Sequence, residues 1–242
     1  MLRKVKSSYF ISTVSVFAAL TIVCDSILES PLPFSGVWLS WIFLIEPING
    51  ILLSPYASFL ATFIGAMIGH SIRFRGSEEF IFTIGAPFGA LITSLLVRRK
   101  WKKAFIYYAL LLGAYFLTPV SWKLPLWGMW NVYLAFFCLL LVILIINLKS
   151  SSCSLKFPHY ILVLALSTFI GLEADVLFRI FIFVPCQMYW IYYGFTEETL
   201  YSIWAVGAVE TPIKAGISTL ITLILVPSII KAVGKSISQF ED

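Results

Sequence analysis

Polar residues in this chain gather in short clusters, and long apolar stretches lie between them. Eight stretches predict helices: Tyr9 to Leu28, Val37 to Leu53, Tyr56 to Ile72, Phe80 to Val97, Phe105 to Val120, Trp127 to Leu148, His159 to Val184 and Val209 to Ile230. A helix that crosses a bilayer needs roughly 17 to 25 residues at about 1.5 Å rise each. A transmembrane barrel would show alternating segments of about ten residues instead. The fifth stretch is short, and the second carries Glu46-Pro47 in its interior. The expectation is an all-α polytopic membrane protein, a single domain over residues 1–242 with a bundle of six to eight transmembrane helices.

Composition agrees with the pattern. The 242 residues are 60% hydrophobic and 12% charged, and mean hydropathy is +0.95. Soluble domains carry about 25% charged residues. At half that share, too few polar side chains exist to cover a surface that faces water on all sides. The basic start at Arg3, Lys4 and Lys6 leads into a full span without a small-residue cleavage site, so no cleavable signal is expected. Cys24, Cys138, Cys153 and Cys186 form no C-x-x-C pair, which points to packing rather than to redox or metal chemistry.

Basic residues orient the bundle, because cytoplasmic loops retain Lys and Arg. With both termini cytoplasmic, Arg3, Lys4, Lys6, the run Arg98-Arg99-Lys100-Trp101-Lys102-Lys103, Lys149, Lys156, Lys231 and Lys235 lie inside, against Arg73, Arg75 and Lys123 outside. The net charge of +5 then faces anionic lipid headgroups and implies no nucleic acid. In the same topology Trp38, Trp41, Trp122, Trp127, Trp130, Trp190 and Trp204 fall near the outer face and only Trp101 near the inner one. An aromatic belt is one reading. An outward-facing pocket lined by rings is the other.

Small residues four apart mark close helix approach in lipid. Ala61, Gly65 and Gly69 form such a register, as do Gly85 and Gly89. A stripe of Ser8, Ser12, Ser15 and Ala19 on the first helix suits internal packing or a partner subunit equally well. Charges inside the bilayer are costly, roughly 3 kcal/mol each on insertion scales, so each calls for a partner or a function. Asp175 with Arg179, and Glu210 with Lys214, sit four apart on one helical face. Glu173 and Glu46 have no such local partner. Glu46 precedes Pro47, which frees a helix carbonyl; it is a candidate ligand or ion contact, or else bonds Arg179 or Lys214. Asp25 and His70 are expected in interfacial water at outer helix ends. Within the spans Glu46, Glu173, Asp175 and Glu210 outnumber Arg179 and Lys214, which matches a cationic or hydrogen-bond-donating solute and equally matches carboxyls kept protonated by burial.

No nucleophile triad, H-E-x-x-H zinc motif or phosphate-binding loop is present, so no enzyme, metal or cofactor is expected. Glu78-Glu79 and Glu197-Glu198 read as solvated loop charges.

Three stretches resemble the substrate-binding S component of energy-coupling factor (ECF) transporters. They are Ser15-Val16-Phe17-Ala18-Ala19-Leu20; Glu46-Pro47-Ile48-Asn49-Gly50 through Ser54-Pro55 into Ala61 to His70; and Ala215-Gly216-Ile217-Ser218-Thr219-Leu220 through Val226-Pro227 to Lys231. The resemblance covers about the first hundred residues and the last thirty. It implies capture of a vitamin or similar micronutrient from outside the cell membrane, and docking on a transmembrane coupling subunit that carries two cytoplasmic ATPases. It further implies docking through small residues of the first helix, here Ser12, Ser15 and Ala19, and a pocket cover at Glu29 to Gly36. That family usually has six helices, and its substrate contacts vary with the vitamin. The candidate contacts Trp38, Trp41, Glu46, Glu173, Asp175, Arg179 and Glu210 therefore rest on burial cost and aromatic placement alone. A proton- or sodium-coupled secondary transporter is the alternative, with Glu46 or Glu173 as proton carrier. An intramembrane enzyme stands third.

Overall fold

The computed structural model describes residues 2–27, 40–74, 76–148 and 157–232. Among them the chain is helical: α1 (Leu2–Ser26), α2 (Ile42–Leu52), α3 (Pro55–Ile72), α4 (Glu79–Thr83), α5 (Gly85–Val97), α6 (Trp101–Leu117), α7 (Trp130–Leu148), α8 (Phe157–Phe183), α9 (Met188–Ile191) and α10 (Glu197–Ala232). Two 3-10 turns, Pro119–Lys123 and Leu126–Met129, connect α6 to α7. Four helical segments are long and apolar enough to cross a membrane: Glu79–Val97, Leu126–Leu144, Tyr160–Phe183 and Glu197–Ala232.

The remaining expected spans are helices of other proportions. Instead of running from Val37 to Leu53, α2 has 11 residues, about 16 Å of rise against a hydrocarbon core of about 30 Å. Conversely, α10 is a 36-residue helix that begins at Glu197 rather than Val209. Glu197 and Glu198 occupy its first turn, where carboxylates oppose the positive end of the helix dipole. They are helix-starting residues, not loop charges.

At the centre, α5 packs against α2, α3 and α8, and α8 in turn contacts α6, α7 and α10. Small residues make this possible. A Cβ at Gly50 would press on the Ala90 carbonyl and Thr93, and one at Gly171 on Thr93 and the Gly89 carbonyl. Gly65 lies against Thr21 and Ala18, and Gly69 against Asp25 and Ile22. The third-helix glycines thus form an internal seam with α1. The opposite face of α1 carries Ser8, Ser12, Ser15 and Ala19, all exposed, so the stripe is not buried by any described part of the chain.

With no water to satisfy backbone groups in lipid, hydrogen bonds between helices take over. Asn49 of α2 donates to Thr21 Oγ1 of α1 and Thr62 Oγ1 of α3, each at 3.0 Å. Tyr107 and Tyr108 of α6 donate to the Ala174 and Ile170 carbonyls of α8 at 2.9 and 2.6 Å. Prolines receive the same treatment. Pro47 lies inside α2 and has no N–H for the Phe43 carbonyl four residues back; Ser218 Oγ of α10 donates to that oxygen at 2.5 Å. Pro212 lies inside α10 and likewise frees the Ala208 carbonyl, which accepts from Trp130 Nε1 of α7 at 2.8 Å. α2 is therefore continuous through Pro47 rather than broken there.

Candidate functional site

Two adjoining hollows lie between α4, α7, α8 and α10. The larger, about 220 Å³, has an aromatic wall of Phe82, Phe183, Tyr193, Phe195 and Trp204, with Asn131 and Glu210 among its polar residues. The smaller, about 110 Å³, is ringed by Asp25, Glu173 and Asp175, with Phe43 and Leu172 among its apolar residues. Glu79, Val176, Arg179, Thr211 and Lys214 line both, so the two share a wall. Lining residues come from the C-terminal parts of α1 and α8 and the N-terminal parts of α2, α4, α7 and α10. In size the pair sits at the lower end for small-molecule sites, roughly 300 to 1,000 Å³.

Helical spacing sets the charges. Arg179 reaches back one turn along α8 and grips Asp175 bidentately, Nε to Oδ1 at 2.7 Å and an Nη2 to Oδ2 at 2.8 Å. Lys214 pairs with Glu210 along α10. Both expected pairs form, and both line the chamber.

Glu173 is fully buried. Its Oε2 accepts from the Asn131 amide at 2.7 Å, and the same amide donates to Thr211 Oγ1 at 2.8 Å. Its Oε1 has no hydrogen-bond partner. Glu46 is also fully buried, with neither oxygen hydrogen-bonded. It does not line either hollow: its carboxyl lies against Gly89, where a Cβ would overlap Oε1. It remains within electrostatic reach of Asp175 and Arg179. The expected bond to Arg179 or Lys214 is not made. Gly85 makes room in the same way for the Asp175 carboxyl. The Gly85 and Gly89 register is thus a bed for two carboxyl groups as well as a helix contact.

Tryptophan placement splits between the two expectations. Trp204 is buried, stacks on Tyr115 with ring centroids 5.9 Å apart, and occupies the space above Gly128. Trp122, Trp127, Trp130 and Trp190 are exposed, as belt residues would be. Trp41 stands partly exposed beside the smaller hollow, stacked on Phe43 at 5.8 Å, and does not form its wall. Trp38 and the expected cover at Glu29 to Gly36 lie outside the described residues.

Several residues correct the sequence reading. Asp25 and His70 are buried rather than in interfacial water, because α1 and α3 close over them at the Gly69 seam; His70 packs edge-on against Phe80 at 4.5 Å. Glu79 is not a solvated loop charge but lines both hollows. It accepts from Tyr193 Oη at 2.8 Å, which tethers the segment between α9 and α10 over the larger hollow. Burial, then the Glu79 carboxylate, pushes the Tyr193 phenol well above its usual range, so it remains a donor at neutral pH. Tyr193 and Phe195 stack at 5.0 Å around Gly194, whose φ of +62° lets the chain fold back between them. Asn131, Thr211 and Lys214 are further wall residues absent from the sequence-derived set. Outside this region, Lys123 and Glu197 form an exposed ion pair at 2.6 Å that contributes little to stability.

Among the described residues, no group of three or more His, Cys, Asp or Glu side chains is arranged to hold a metal ion. The arrangement sets an aromatic wall beside buried, partly satisfied carboxyl groups. Comparison with known proteins finds no matching family model, no similar curated protein and no matching solved structure.

Proposed function

We propose that this protein is a solute-capturing membrane subunit that takes a small micronutrient-like molecule from outside the cell membrane and hands it to an ATP-driven importer of the ECF type. The observation that carries the reading is the convergence of Glu79, Glu173, Asp175 and Glu210 with Phe183, Tyr193 and Trp204 on one chamber. In the topology set by the basic loops, with six to eight spans and both termini cytoplasmic, every helix end that lines the chamber points outward. The exposed Ser12, Ser15 and Ala19 face of α1 supplies a surface on which a coupling subunit with two ATPases would dock. Binding and transfer, rather than catalysis, are the roles this assigns to the chain.

The test is solute binding by the purified protein without any ion gradient, with mass spectrometry of small molecules and subunits that co-purify from native membranes. A bound micronutrient and an attached coupling subunit are expected. A second reading, a secondary transporter, is favoured by Glu46, a fully buried carboxyl with no hydrogen-bond partner. Gradient-driven uptake by this chain alone in liposomes would replace the importer reading with that one.

A further inference from the structure

The hydrogen bonds around Glu173 leave one of its two oxygens out. The Asn131 amide spends its two N–H groups on Glu173 Oε2 and Thr211 Oγ1. The Thr211 hydroxyl donates to the Gly207 carbonyl at 2.7 Å. Arg179 directs Nε and Nη2 to Asp175, and Lys214 is paired with Glu210. Glu173 lines the smaller hollow, and its Oε1 remains buried and without a protein donor. An acceptor left in this state costs its full desolvation unless something donates to it. Beyond the shared wall at Thr211 and Arg179 lies the aromatic compartment of Phe82, Phe183, Tyr193 and Trp204.

We infer that the solute is a small organic amine, its N–H-bearing cationic head on Glu173 Oε1 and its apolar or aromatic body between the rings of the larger hollow. The two cations on the wall do not argue for an anion, since each is matched by a carboxylate on its own helix. With those pairs cancelled, Glu173 adds a further carboxyl to the wall, with one oxygen unserved by any protein donor. An ammonium group brings both the missing donor and the compensating charge, and a ring or hydrocarbon body replaces water along the aromatic face.

This inference rests on the reading of the chamber as a solute site, and the probes are chosen to separate the two. Three molecules of similar shape are titrated into the full-length purified protein, with the fluorescence of Trp204 and the thermal unfolding shift as readouts: phenethylamine, protonated at neutral pH as a lysine side chain is; phenethyl alcohol; and hydrocinnamate. A Trp204→Phe variant assigns the fluorescence change to the chamber. The amine is expected to bind at least about tenfold more tightly than the alcohol, the size of one charge-assisted hydrogen bond, and the carboxylate most weakly. Glu173→Gln should erase the amine's advantage over the alcohol, and an unchanged gel-filtration profile and helical circular dichroism show that the variant is folded.

Equal binding of all three, tighter binding of the carboxylate, or an amine advantage that survives Glu173→Gln overturns the amine inference while leaving a chamber that captures solutes. No saturable binding by any of the three overturns the amine inference. A native co-purified solute would then still support capture, whereas its absence as well would remove the capture reading.

Discussion

Glycine at position 89 stands where any side chain would displace a carboxyl group. A Cβ there would overlap Glu46 Oε1 and press on the Gly171 carbonyl, and Glu46 has no other bond to guide it elsewhere. Gly89→Ala is therefore expected to destabilise by about 1 to 3 kcal/mol, the usual cost of overpacking. Thermal unfolding in detergent would read this as a lowered midpoint. In a Glu46→Ala background most of that loss should vanish, because the colliding group is gone; a full loss in both backgrounds would place the strain at Gly171 instead. At this scale the sequence was only partly legible. The Asp175–Arg179 and Glu210–Lys214 pairs are local, four residues apart, and could be read directly. The link between Glu173 and Asn131 spans 42 residues and leaves no local trace. Glu79 sits beside a second glutamate near basic residues, a context that reads as loop, and only the docking of α4 against α8 shows that it faces inward.

Among the elements, α2 is the least self-sufficient. Its 11 residues include a proline, and the freed Phe43 carbonyl accepts its side-chain bond from Ser218 of α10. Ser218→Ala should cost about 1 kcal/mol, in the range measured for hydrogen bonds between membrane helices. In a Pro47→Ala chain the restored N–H serves Phe43, so the same substitution should then be nearly neutral. Unfolding midpoints of the four chains in this cycle supply the test, and an undiminished cost in the Pro47→Ala background would mean that Ser218 acts by packing alone. Helix existence followed well from the apolar runs, because length and hydrophobicity are properties of a single segment. Helix limits did not. The start of α10 at Glu197 depends on acidic residues favouring a helix N-terminus, whereas in a count of hydrophobicity they mark a loop.

For the whole molecule, two predictions concern its setting in the membrane. In the proposed topology, with both termini cytoplasmic, the segment after α8 should face outward and residues 149–156 inward. A chain retaining only Cys186 should react with a membrane-impermeant maleimide on intact cells, and one retaining only Cys153 should react only after permeabilisation; the reverse pattern would invert the bundle and close the chamber to the outside. Ala19 lies on the exposed face of α1, away from the seam with α3. Ala19→Phe should thus abolish co-purification of a coupling subunit while leaving solute affinity within about twofold, since that face touches no chamber wall. Loss of solute binding together with the subunit would mean that the stripe supports the fold. Charge asymmetry and small-residue registers extend over the whole chain and can be read from its sequence, while the chamber itself exists only once six helices have met.

The bond from Ser218 to Phe43 also bears on biogenesis. When α2 leaves the ribosome, 175 residues separate Phe43 from the side chain that donates to its carbonyl, and the 11 residues of α2 rise less than the hydrocarbon thickness. Until α10 is synthesised the Phe43 carbonyl lacks the Ser218 hydroxyl, so the bonding of α2 is completed late. A nascent chain arrested before that point should keep α2 open to crosslinking by the insertion machinery, and release should coincide with the arrival of Ser218.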